Sequence, residues 1–464
     1  MNRSHPLFLS VLVLGCALAQ PLHAASLDDP FGELDAAAAP PCRQPAEKAA
    51  LALPDVVDLA LCHNPQTREV WANARAQAAL AGVAWAAYLP SLEGKLIGSR
   101  KRPDGGATYR QNDGSLTLSY LLYDFGARSA ALENARQLLE AAGATQDATV
   151  QAVFLSAVQA YYQTQTAEAA LAAARESERA SQESLKAAEV RYRVGTGTPA
   201  DRLQAQTAWS QAVLNRIAAE GGLKSAQGAL ANVIGRDAYR SVALVPMAEA
   251  APAEGFERDV EALVAEARRR RPDLQAAEAQ VRAARANTDA ARAAGRPTLS
   301  FGATAGAQGI EGSAYQHSGT IGVTLTVPLF TGFSTTYKVR AAEAQADAQA
   351  ARRDRVSLQV ALDVWNAYQG LATATQSLRS AADLLASALQ SERVALGRYT
   401  AGVGSILDVL NAQSALASAR QQKVQSAYSW NVARAALARS MGSLDFDFLQ
   451  NPPHDTPLSE KVAP

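Results

Sequence analysis

Chemically versatile residues are scarce in this chain. Its 464 residues include 3 cysteines, 5 histidines and 3 methionines, and aromatics make up 6%. Outside the N-terminal segment only His63, His317 and His454 remain, far apart in sequence. There is no CxxC, HExxH, GxSxG or GxxxxGK, and Gly195-Thr196-Gly197 opens a Gly-x-Gly that no third glycine completes. These absences argue against an enzyme, and no cofactor or metal is expected. Charge of one sign is also lacking: 44 basic residues balance 44 acidic ones, which disfavours a nucleic-acid partner needing a basic surface. Mean hydropathy is −0.11, and beyond the first 25 residues no run of 18 apolar positions occurs. That excludes a helical inner-membrane protein.

What the chain does have is alanine, about a fifth of all residues, and an export signal. Arg3, the apolar run Leu7 to Leu14 and the small-residue site at Leu22-His23-Ala24 make residues 1–25 a secretory signal. A competing reading takes Val13-Leu14-Gly15-Cys16 as a lipoprotein box. Residues 26–52 form a proline-rich leader. Export would carry Cys42 and Cys62 into an oxidising compartment, where a bridge closing about 20 residues would be worth roughly 3 kcal/mol. Two unpaired thiols are the alternative.

The chain also repeats. A shift of 207 residues lays Pro65, Pro90, Leu92, Tyr161, Tyr192, Gly195, Gly197, Asp201 and Gly235 on Pro272, Pro297, Leu299, Tyr368, Tyr399, Gly402, Gly404, Asp408 and Gly442. Paired Pro, Tyr, Gly and Asp in one frame indicate duplication rather than alanine bias. The division is therefore a first repeat over 53–235, an equatorial insertion over 236–271, a second repeat over 272–442 and a tail over 443–464. Each repeat reads as helix, proline, two short strands, a very long helix, a Gly turn and a returning helix. No proline interrupts 104–198 or 329–451, so the long helices can run unbroken. Arg128 to Val194 would extend roughly 100 Å. Alanine lets such helices pack closely, with Val153, Leu155, Tyr161, Trp209 and Trp365 as packing residues.

The strands are expected at Leu92 to Gly98, Gly114 to Tyr123, Leu299 to Ala307 and Thr320 to Leu329, joined by polar loops. In the second and fourth, apolar residues alternate with small polar ones. Strands of about ten residues can cross a bilayer at a steep tilt, with Trp85 and Tyr88 as interfacial aromatics. Four strands leave open edges, which lipid does not tolerate, so copies must pool their sheets. Three copies would give a barrel of twelve strands.

The duplicated unit, the segment Tyr123-Asp124-Phe125-Gly126-Ala127-Arg128 and the Tyr-x-x-Gly-x-x-x-x-x-Asp-x-Leu turn resemble TolC-like outer-membrane efflux proteins, in particular their type I secretion branch. The fold class implied is mainly α with transmembrane β: a homotrimer whose outer-membrane β-barrel continues as a long periplasmic helical barrel. The partners implied are a periplasmic adaptor (membrane fusion protein), an inner-membrane ABC transporter, an exported protein substrate such as a toxin, and outer-membrane lipid. The resemblance further implies that Asp408 lines the tunnel mouth, with Asp201 and Tyr399 in the closing contacts. The hairpin tips, with Arg193, Gly195, Gly197, Arg398, Gly402 and Gly404, would face the adaptor. Capping of the helices that follow is the plainer reading of Asp201 and Asp408, and solvation that of Arg191, Arg193 and Arg398. Gly404 stands where some members have a latching arginine, and Asn411 where a second ring aspartate often lies. Cation block is therefore expected to be weaker here. Small-molecule efflux within the same fold, and a pore-free periplasmic coiled-coil scaffold, are the competing functions.

Overall fold

The computed structural model describes residues 50–240, 242–246 and 259–444. The export signal, Cys16, Cys42, most of the leader and the tail beyond 444 lie outside the described residues. Twelve elements follow in order: α1 (Leu53–His63), α2 (Pro65–Ala86), β1 (Ser91–Lys101), β2 (Tyr109–Tyr123), α3 (Ala127–Arg193), α4 (Pro199–Val233), α5 (Val260–Arg270), α6 (Pro272–Ala293), β3 (Thr298–Ile310), β4 (Gln316–Thr326), α7 (Ser334–Thr400) and α8 (Ile406–Ser440). Both long helices, α3 and α7, have 67 residues, and both returning helices, α4 and α8, have 35. Among the described residues no helix is long and apolar enough to cross a membrane.

Proline and short polar side chains set the helix starts. Pro65 opens α2 and Pro272 opens α6, where the missing N–H costs nothing. The Asp259 carboxylate accepts from the Glu261 N–H at 3.1 Å at the start of α5.

The described part of the chain divides into two compact units. The first comprises Asn73–Glu140 and Arg282–Asp347 and holds the sheet, with strand order β1-β2-β3-β4 and every pair antiparallel. β1 and β4 are its edges. At the far turns the strands reach further than their apolar alternation suggested: the segments 99–113 and 308–319, expected as loops, are largely β, leaving turns at 102–108 and 311–315. At its other end the fourth strand stops at Thr326, short of the expected Leu329, where Pro328 has no N–H to donate to a ladder. Backbone ladders continue through polar residues such as Asn112 and Gln308, because pairing does not depend on apolar side chains. One face carries Leu92, Leu96, Leu116, Leu118, Leu299, Phe301, Ile321, Val323 and Leu325; the other carries Thr117, Ser119, Thr304, Thr320 and Thr324. The apolar face is open to its surroundings: Leu96 is 90% exposed and Ile321 74%.

The Asp-Phe-Gly-x-Arg segment turns β2 into α3. Buried Asp124 accepts from the Gly126 and Arg128 N–H groups at 3.2 and 2.8 Å and pairs with the Arg128 guanidinium at 3.1 Å. Arg128 also lies 4.9 Å above the Tyr88 ring, and Trp85 is 5.7 Å from Tyr88. Phe125 and Phe333, in the two strand-to-helix turns, both adopt left-handed backbone and stay exposed.

The second unit is formed by the described parts of Pro40–Ala72, Ala141–Val281 and Ala348–Pro464. Its main core joins Val56, Val57 and Ala60 of α1 to Val153, Phe154, Val158 and Tyr161 of α3, Leu230 of α4 and Ala438 of α8. A further core packs Leu263 and Ala267 of α5 on Val360 and Val364 of α7. Val153, Leu155 and Tyr161 are buried as expected, whereas Trp365 is half exposed. Cys62, on α1, is disulfide-bonded.

Candidate functional site

The turns joining α3 to α4 and α7 to α8 are built alike. Gly195 and Gly402 adopt φ of +77° and +81°, the left-handed region that reverses a chain leaving a helix. The Thr196 N–H donates to the Arg191 carbonyl at 2.9 Å, and the Val403 N–H to the Arg398 carbonyl at 3.0 Å. The second glycine of each pair meets a different demand. A Cβ on Gly197 would lie 3.1 Å from the Tyr192 nitrogen, and one on Gly404 would lie 3.0 Å from the Tyr399 nitrogen. Both turns therefore fold their own backbone against the preceding helix. A side chain at 404 would need the Tyr399 backbone to give by a few tenths of an ångström, so glycine is the residue this close turn favours.

Thr198 and Ser405 then cap the returning helices. Their hydroxyls accept from the Asp201 and Asp408 N–H groups at 3.1 Å each, and the two carboxylates accept from the Thr198 and Ser405 N–H groups at 3.0 and 3.2 Å. The capping reading of both aspartates thus describes their contacts in this chain. Asp408 is exposed, and the Ser405 N–H, then the Ser405 hydroxyl, with Arg398 nearby, hold its carboxyl below the usual carboxylate range. Asn411, Arg193 and Arg398 are exposed as well.

Tyr399 is different. Only 6% of it is exposed, in a cluster with Leu185 and Ala188 of α3, Ala205 of α4, and Ile406 and Val409 of α8, with Trp209 packed alongside. The Arg191 guanidinium lies 4.1 Å above its ring and donates to its carbonyl oxygen. Burial pushes the Tyr399 phenol up, Arg191 opposes that, and Asp201 adds to it. The two hairpins meet again where Ser184 and the Gln413 amide lie 3.0 Å apart, and where Arg420 pairs with Glu176 at 2.7 Å.

Of the residues singled out from sequence, Tyr399 alone is buried in this contact; Asp201 caps its own helix, and Asp408, Asn411, Arg193 and Arg398 stay at the exposed tips. Arg191, expected from sequence either to meet an adaptor or to be solvated, instead ties one hairpin to the other at Tyr399. Its repeat counterpart, Arg398, is exposed, so the duplicated pattern could not reveal the difference. A partial signal existed: Val409 stands where the first repeat has Arg202, which marks the second hairpin as the one with an apolar tip. Among the described residues there is no group of three or more His, Cys, Asp or Glu suited to a metal ion.

The comparisons with known proteins agree with this architecture. Residues 56–236 and 263–443 each match the outer membrane efflux protein family. The chain is 34% identical over 414 residues to Protein CyaE of Bordetella pertussis, covering 87% of each. It is 27% identical over 412 residues to the solvent efflux pump outer membrane protein SrpC of Pseudomonas putida, covering 84% of this chain and 85% of that one. The outer membrane protein VceC of Vibrio cholerae superimposes with a TM-score of 0.74 at 21% identity, covering 85% of this chain and 97% of that structure. This is a family of channel proteins rather than enzymes. The duplicated strand-and-helix unit, the four-stranded open sheet and the paired hairpin tips thus place this chain in the outer membrane efflux protein family, as a TolC-like channel of the outer membrane.

Proposed function

We propose that this chain is the outer-membrane duct of a type I secretion system. In this reading three copies form one channel, which receives a protein substrate from a periplasmic adaptor and an inner-membrane ABC transporter and releases it outside. The observation that carries it is the 34% identity to CyaE across 87% of both chains, set against 27% to the solvent pump component. The cargo is a protein toxin of the cyclolysin or haemolysin type. The channel binds no nucleotide and works passively, with energy supplied by the transporter.

The hairpin tips are the periplasmic gate. Arg191 on Tyr399 holds the two hairpins of one copy together. Asp408, exposed and kept ionised, gives the mouth one carboxylate per copy, and Asn411 supplies none where a second could stand. Arg193 and Arg398, with the four tip glycines, present the surface an adaptor hairpin would meet. The aromatics Trp85, Tyr88, Phe125, Phe330 and Phe333 lie where the strands give way to helices and contact outer-membrane lipid at the periplasmic interface.

A second reading, efflux of small molecules, is favoured by SrpC and by the toluene efflux component TtgI of Pseudomonas putida, also 27% identical. Deleting the gene separates the two. Loss of one or a few secreted proteins with unchanged drug sensitivity supports the secretion duct. Unchanged secreted proteins with increased sensitivity to solvents and antibiotics refutes it.

A further inference from the structure

The apolar face of the sheet, which an outer-membrane barrel turns to lipid, stops at a pair of arginines. On β1 that face runs Leu92, Gly94, Leu96, Gly98 and then Arg100; on β2 it runs Tyr120, Leu118, Leu116, Gly114, Asn112 and then Arg110. Arg100 and Arg110 are the first charged side chains along it, and the ladder sets them directly opposite each other. Both are exposed, and among the described residues neither guanidinium is in an ion pair. Glu311, which follows β3, places its carboxylate on the Arg110 backbone N–H at 3.1 Å, and Asp113 belongs to the opposite face, where it accepts from Gln111 and Gln308. Like charges facing each other across two strands repel, so this end of the sheet is built for an anion.

Height in the membrane says which anion. Tyr120 and Phe301 face each other where the strands approach the helices, and Arg110 lies ten positions along β2 from Tyr120. At about 3.4 Å per residue and a tilt of about 40°, that span is about 25 Å along the barrel axis, the height of the apolar band of such barrels. The arginine pair therefore stands at the far edge of the band, on the side away from the helices. Tyr315 marks the same level from the other strand hairpin. Its ring covers Gly309, where a Cβ would stand 2.5 Å from its Cε1, so it lies on the lipid side, and it is 64% exposed. Gly309 is opposite Asn112, the residue one same-face step inside Arg110. An exposed tyrosine at this height is the mark of a membrane–water interface.

We propose that Arg100 and Arg110, with the Asn112 amide beside them, hold the phosphate of a glycolipid in the outer leaflet, on the outside of the barrel. A guanidinium offers paired N–H donors that match phosphate oxygens, and the headgroup would replace the repulsion between the two with a shared counter-ion. Gly98 gives Asn112 its place: the Asn112 Oδ1 lies 3.6 Å from where a Gly98 Cβ would stand. The acyl chains would then lie along the apolar strip formed by Leu96 and Leu92 of β1 and Leu116 and Leu118 of β2. This inference rests on the outer-membrane placement and is independent of the cargo.

The test uses the full-length channel, purified in detergent and stripped of lipid, with diphosphoryl lipid A as the probe. Native mass spectrometry counts bound lipid, and the melting temperature is read in parallel. The wild type is expected to bind diphosphoryl lipid A about tenfold more tightly than lipid A from which both phosphates have been removed, and Arg100→Gln with Arg110→Gln is expected to lose that preference. Lys95→Gln with Lys101→Gln removes two charges from the other face of β1 and should keep it. Lipid A should raise the melting temperature of the wild type and not that of the arginine variant. Equal binding of the two lipids by the wild type overturns the site without recourse to any variant. An unchanged preference in the arginine variant, an equal loss in the lysine variant, or displacement of the lipid by equimolar inorganic phosphate overturns it too. Any of these results, in a channel that fractionates with the outer membrane, strikes the lipid site and leaves the channel standing.

Discussion

Removing the Arg191 side chain should loosen the proposed gate by an amount the contact predicts. The guanidinium stacks 4.1 Å above a ring that is 6% exposed and donates to the carbonyl of the same residue. Stacking of this kind is worth about 0.5–2 kcal/mol, and a charged donor on a carbonyl about 1.5–3 kcal/mol. Arg191 is only half-buried, so solvent competes for both, and a net of about 2 kcal/mol per copy is the reasonable figure. That corresponds to roughly a 30-fold shift between joined and separated hairpins in each copy. Single-channel recording of the purified protein in planar bilayers reads this directly: Arg191→Ala should raise the open fraction and the mean conductance, and Tyr399→Leu should do the same. The double variant should add little to either alone, since both remove one contact. Tyr399→Phe is the discriminating control. The contact uses the ring face and the backbone carbonyl, so loss of the hydroxyl should leave the channel closed. Wild-type conductance in Arg191→Ala, or opening by Tyr399→Phe equal to that of Tyr399→Leu, would refute the reasoning.

Other outcomes follow from the same geometry. Asp408→Ala should abolish block of the channel by trivalent metal ions. Because the folded carboxyl lies below its ordinary value of 3.8, block and capping should reach half their full extent only below that pH and be lost as pH falls through the lowered value; loss of block already near neutral pH would contradict this. Gly404→Ala should raise amide exchange and protease cleavage at residues 398–408, since its Cβ would press 3.0 Å from the Tyr399 nitrogen. Arg271 is 12% exposed at its side chain and bridges Asp273 at 2.6 Å and Asp363 at 3.0 Å. Both acids are about a third exposed, so Arg271→Met should cost about 1–3 kcal/mol, seen as a lower melting temperature. Denatured, unreduced protein should show no reactive thiol at Cys62, and two thiols titrating would exclude its bridge to Cys42.

The repeat was legible because duplication preserves spacing. One offset, read from paired prolines, glycines and aspartates, also relates the registers of the two strand hairpins. The long helices were legible from the absence of proline over 104–198 and 329–451. Strand ends were not, because polar stretches such as Arg110 to Asp113 keep their backbone pairing after the apolar alternation stops. The tip contact was the least visible part. Arg191 and Arg398 occupy the same place in the two repeats, as do Tyr192 and Tyr399, yet only Tyr399 is buried, while Tyr192 lies exposed beside Arg202. What separates them is a neighbour across the hairpin, a relation that periodicity along one chain does not carry.

The two unpaired edges of the sheet bear on genetics. In the oligomeric duct proposed above, a polypeptide damaged only along β4 still offers a sound β1, so it can join a growing ring and then stop it from closing. Altered alleles at that strand should be dominant over a normal copy in the same cell, whereas changes that prevent folding altogether should be recessive.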